Sequence, residues 1–63
     1  MNHGRWRVTH IYAAGITLIE VYRLIDAFAV DHSGNREYRP EEFQTDEEAQ
    51  AFADMLNARK LPQ

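Results

Sequence analysis

Between residues 5 and 12 the chain alternates, with Arg5, Arg7 and Thr9 on one side and Trp6, Val8, His10 and Tyr12 on the other. That period of two predicts a half-buried strand. Ala13-Ala14-Gly15 then reads as a turn, since Gly15 accepts positive φ without steric cost, and a second extended run follows over residues 16–27. This run is apolar on both sides: Leu18, Tyr22 and Leu24 alternate with Ile19, Val21 and Ile25, broken by Glu20 and Arg23. Such a strand belongs in the middle of a sheet. Leu18, Tyr22 and Ile25 also recur at helical spacing, but the β-branched and aromatic content of the run favours a strand.

Asp31-His32-Ser33-Gly34-Asn35 is turn sequence, and residues 36–43 predict a third strand in which Pro40, lacking an N–H, requires an edge position. A helix is expected over residues 46–59. Thr45 is its N-cap, and Glu48 stands three residues on in the capping-box position. Asp46, Glu47 and Glu48 put negative charge against the positive end of the helix dipole. Ala49, Phe52, Ala53 and Leu56 then form one apolar stripe. Arg59 and Lys60 are expected in the last turn, with Pro62 barring continuation. The expected architecture is α+β, a three-stranded antiparallel meander with one C-terminal helix on one face, as a single domain over residues 1–63.

Sixty-three residues with no cysteine leave little core and no disulfide or thiolate zinc site to staple it, so a partner chain is the natural source of further burial. The N-terminal residues show no apolar signal region and no stretch is long enough to span a bilayer, which reads as a soluble cytoplasmic protein. The net charge of −3 is concentrated. Residues 31–63 carry eight acids against Arg36, Arg39, Arg59 and Lys60, and five of those acids lie between Glu41 and Glu48. A patch of this sign repels phosphate and favours basic partners.

Candidate chemistry is sparse. His3, His10 and His32 are the only imidazoles, and no pair has the i, i+4 spacing of helical metal ligands, so no metal site or cofactor is expected. Asp31, Ser33, Asn35 and Glu42 occupy positions one, three, five and twelve of a calcium loop, but Arg36 stands where that loop needs glycine. Glu41-Glu42 and Glu47-Glu48 are contiguous, so their side chains diverge instead of forming an acid/base dyad. No catalytic residue and no small-molecule substrate follow from this inventory.

Arg5, Arg7 and Thr9, joined by Arg23, form a candidate nucleic-acid-binding face. A sheet opened by a strand containing Trp6 and closed by the helix start from Phe43 to Ala49 resembles the arm-type DNA-binding domain of phage-type integrases. In that family the sheet enters the major groove, which implies that role for Arg5, Arg7 and Thr9. The acidic balance departs from the family, whose domains are basic. The chain is also similar to small β-β-β-α proteins of bacterial genomes and mobile elements, a likeness that implies no activity.

One helix covers one side of a three-stranded sheet, so the central strand must meet something else on its other side. Ile19, Val21 and Ile25 are the expected interface, with Leu18, Tyr22 and Leu24 the alternative set and residues 26–35, carrying Phe28 and Val30, as an internal cover. The sequence therefore reads as a non-enzymatic interaction module that forms a homodimer or binds another protein. Nucleic-acid binding is the second reading, and a metal protein or small enzyme the third.

Overall fold

Thr45 follows the last extended stretch and caps the start of the C-terminal α-helix, as its neighbours dictate. The computed structural model describes residues 2–59 and contains strands β1 (Arg7–Ala13), β2 (Ile16–Leu24) and β3 (Arg36–Phe43), then helix α1 (Asp46–Ala58). The strands form one antiparallel sheet in the order β1-β2-β3, a meander with β2 in the centre and α1 packed against it. The expected fold class is thus the observed one, with β2 ending earlier, at Leu24.

The Thr45 side chain accepts a bond of 3.1 Å from the Glu48 backbone N–H, satisfying a donor that the first helical turn leaves open. The C-terminal end differs from expectation. The helix stops at Ala58, no basic residue lies in its last turn, and Arg59 is the C-cap, its N–H shared between the Met55 and Leu56 carbonyls. Lys60 and Pro62 lie outside the described residues.

Ala14 and Gly15 close the first hairpin as a two-residue turn between the paired Ala13 and Ile16, both at positive φ (52° and 79°). A turn of this hand matches the twist of the flanking strands, which is worth the cost of about 1 kcal/mol for holding alanine in the left-handed region. β3 departs from regularity at its middle. Glu20 pairs with Glu42 and Tyr22 with Tyr38, so three β3 residues stand opposite Val21 alone, and Pro40 sits within this bulge on an edge strand.

The phase of β2 decides which side is core. Val21 is fully buried beneath Ala49 and Ala53, with Trp6, Val8, Ile19, Phe43, Phe52 and Leu56 packed around them. The two fully buried alanines let the helix approach the sheet closely. Ile19 and Val21, expected at an interface, are therefore helix-covered, because Val21 pairs with Val8 and shares the face of Trp6. Ile25 lies just past β2, half-buried, its N–H bonded to the Asn35 carbonyl.

Around Tyr22 and Leu24 the opposite face is covered by the strands' own side chains. Tyr22 and Leu24 are each only 8% exposed there. The Tyr22 ring carries the Arg7 guanidinium at 5.3 Å and that of Arg36 at 4.6 Å, with the Tyr38 ring 5.8 Å away. Arg36 is fixed in turn by Asp31 at 2.8 and 3.3 Å. At the end of the sheet Gly4 donates to the Leu24 carbonyl, and a Cβ on Gly4 would stand 3.2 Å from that of Leu24.

Residues 25–35 do not fold over this face, since Phe28 is 83% and Val30 76% exposed. The loop is organised by buried Asn35, whose Nδ2 donates to the Asp26 and Val30 carbonyls while its Oδ1 accepts from the Asp26 N–H. Its backbone N–H and carbonyl bond His32 and Ile25. This arrangement takes Asn35 inward and gives Asp31 to Arg36, so two of the four residues that resembled a calcium loop are spent on the fold.

Candidate interaction edge

A sheet of three strands has two open edges, and here they differ. The β3 edge is bulged, contains Pro40 and alternates charge through Arg36, Glu37, Arg39, Glu41 and Glu42, features that discourage pairing with another strand. The β1 edge has none of them. Arg7–Ala13 pairs with β2 in unbroken register and contains no proline, glycine or bulge.

Backbone geometry settles which β1 groups are open. A two-residue turn closes on a pair that exchanges both bonds, so Ala13, and by alternation Ile11, Thr9 and Arg7, spend their N–H and C=O groups on β2. Those of Val8, His10 and Tyr12 point off the sheet. Trp6 is next in that series, and both its groups are taken by one side chain: its N–H donates to Asn57 Oδ1 at 2.9 Å and its carbonyl accepts from Asn57 Nδ2 at 3.1 Å. The Asn57 amide stands in for a neighbouring strand and ends the open edge at one side, as the Ala14-Gly15 turn does at the other.

On the helix side of this edge lies an open groove of about 410 Å³ lined by Val8, His10, Asp46, Glu47 and Gln50. His10 Nε2 meets Asp46 Oδ1 across its floor, tying β1 to the first turn of α1. Tyr12, one step further along β1, extends beyond the helix and is 77% exposed. Among the described residues no group of three or more His, Cys, Asp or Glu side chains converges, and no helix is long and apolar enough to cross a membrane.

The candidate arginine face divides. Arg5 is exposed ahead of β1, and Arg7 and Thr9 share the face away from the helix with Tyr22. Arg23 does not join them. It lies on the helix side, 4.5 Å over the Trp6 ring and 2.8 Å from Glu37, because β2 puts it out of phase with Tyr22. Alternation along β1 places His10 at a half-buried sheet position but names no partner for it, and Asn57 is not among the residues expected at a site. The signal for Asn57 was present: Ala49, Ala53 and Asn57 recur at i+4, so the buried stripe continues into it.

The ion pairs set an acid response. The Arg36 hydrogen bond holds the Asp31 carboxyl below its ordinary value, and the Arg39 hydrogen bond does the same for Glu41. A carboxylate whose folded value is depressed stabilises the fold above its unfolded value, near pH 4, and loses that contribution as pH falls through the folded value. Asp31→Asn should therefore flatten the decline of the urea midpoint between about pH 5 and pH 2. Parallel acid limbs for variant and wild type would exclude the pair as a contributor.

No family model, curated protein or solved structure matches the chain.

Proposed function

We propose that this chain is a small non-enzymatic interaction module that joins another polypeptide, a copy of itself or a second protein, at the open edge of β1. The supporting observation is the contrast between the two edges: β3 is defended by a bulge, Pro40 and alternating charge, while β1 leaves Val8, His10 and Tyr12 unpaired beside an exposed aromatic. Nucleic-acid binding through Arg5, Arg7 and Thr9 stands second. Arg7 has no carboxylate partner within ion-pair distance among the described residues, but Arg23 is on the other face and Arg36 is bound by Asp31, which leaves few cations to meet phosphates.

Sedimentation across about 10–300 μM, a range suited to small interfaces, tests the reading. Wild type should rise above the monomer mass of 7.4 kDa. His10→Pro removes an N–H that points off the sheet, so it should keep the wild-type circular dichroism and stay monomeric. His10→Ala keeps that N–H and should still associate, which separates the edge from the contact with Asp46. Association that survives His10→Pro unchanged would place the contact elsewhere and overturn the edge reading.

A further inference from the structure

The edge of β1 is self-complementary. We infer that two copies pair antiparallel through β1 about a two-fold axis at His10, extending each three-stranded sheet into one of six strands, with Tyr12 of each copy seated in the Val8–Gln50 groove of the other. This rests on the reading of β1 as the interaction edge and specifies its partner and register.

The register follows from which groups are open. Val8, His10 and Tyr12 are spaced evenly, so placing His10 opposite His10 of the second copy sets Val8 opposite Tyr12 in both directions. Every open N–H and C=O on both edges then has a partner. A slip of two residues one way places Val8 opposite Ala14 in the turn, and a slip the other way places Tyr12 opposite Trp6, whose groups Asn57 already holds. Only the centred pairing ends where the turn and the Asn57 amide end the edge.

Side chains agree with this choice. Val8, His10 and Tyr12 all lie on the helix side of β1, and cross-strand neighbours in such a pair have their Cβ atoms about 5 Å apart. Tyr12 of the second copy therefore stands beside Val8, in the groove whose other walls are His10, Asp46, Glu47 and Gln50. Val8 gives the ring an apolar wall, the His10, Asp46, Glu47 and Gln50 side chains give the hydroxyl polar partners, and about 410 Å³ admits one such side chain. Because the axis is perpendicular to the sheet, both helices lie on the same side and neither is in the way of the strands. The contact is isologous and closes on itself, leaving the defended β3 strands as the outer edges.

Absence of native cysteine makes disulfide cross-linking a clean test. In the centred register Thr9 and Ile11 of the second copy form a pair that exchanges no backbone bonds, with Cα atoms about 4.5 Å apart, within disulfide range. Thr9→Cys/Ile11→Cys should give mostly covalent dimer under mild oxidation, and Thr9→Cys/Ala13→Cys, which reports the slipped register, should stay largely monomeric. Tyr12→Ala should weaken association at least tenfold with unchanged circular dichroism, since Tyr12 is exposed in the monomer. Cross-linking of the Thr9/Ala13 variant as complete as that of the Thr9/Ile11 variant, which either slipped register gives through Thr9 or Ile11 meeting its own copy, or none in either, would overturn the register. If His10→Pro still abolished association in that case, the edge reading would stand without it. A wild-type mass of 7.4 kDa at every concentration would overturn the symmetric dimer and leave the edge to a second protein.

Discussion

Val21→Asp should leave the chain unfolded. Val21 is 0% exposed, lies between β2's neighbours and the fully buried Ala49 and Ala53, and has only Trp6, Val8, Ile19, Phe43, Phe52 and Leu56 around the cluster. A carboxylate there loses its hydration and gains no donor, at a cost of about 4 kcal/mol or more. A domain of this size has about 5 kcal/mol to lose. Val21→Ala removes volume without adding charge and should cost about 2 kcal/mol, leaving a folded but less stable protein. Far-UV circular dichroism and amide dispersion read the first variant, and a urea titration reads the second. A Val21→Asp melt indistinguishable from wild type would mean that the helix covers the other face.

Asn35→Ala should cost about 3 kcal/mol, the second largest loss expected, although the residue lies in a loop. Its side chain makes three hydrogen bonds at 2.9–3.1 Å, and truncation leaves the Asp26 N–H and the Asp26 and Val30 carbonyls without it in a partly buried setting. Asn35→Asp is no rescue: it retains the acceptor for Asp26 N–H but turns a charged oxygen toward two carbonyls. Urea unfolding measures the loss, and hydrogen exchange at the Ile25 and Asp26 amides shows whether the loop opens before the sheet. Unchanged stability in both variants would remove Asn35 as the organiser of this loop. The consequence reaches the sheet, because the same loop delivers Asp31 to Arg36 and so holds a cation over Tyr22.

The elements and their order were legible because each rests on local physics. Alternation marks β1, Thr45 fixes the start of α1 to the residue, and Pro40 correctly places β3 at an edge. The weaker points were those where two faces compete. Ile19 and Val21 and the opposing Tyr22 and Leu24 are equally apolar, so a pattern of period two could not say which pair meets the helix. Trp6 and Val8 break the tie, through pairing with β2 and not through anything in β2 itself. Arg23 differs from expectation for the same reason: charge groups it with Arg7, whereas the register sets Arg7 beside Tyr22 and Arg23 beside Trp6.

By itself the sequence determined what propensity, capping and periodicity reach: three strands, a C-terminal α-helix, a central β2 and an edge β3 among the described residues. Tertiary structure decided everything that depends on residues far apart in the chain meeting in space. It joined Asn57 to Trp6 and Asp46 to His10, 51 and 36 positions apart, and so set the open length of the β1 edge and built the groove beside it. It also gathered Arg7, Arg36 and Tyr38 around Tyr22 on the second face, which needs all three strands in register. A strand's period says which residues share a side, and only the partner across the sheet says what that side touches.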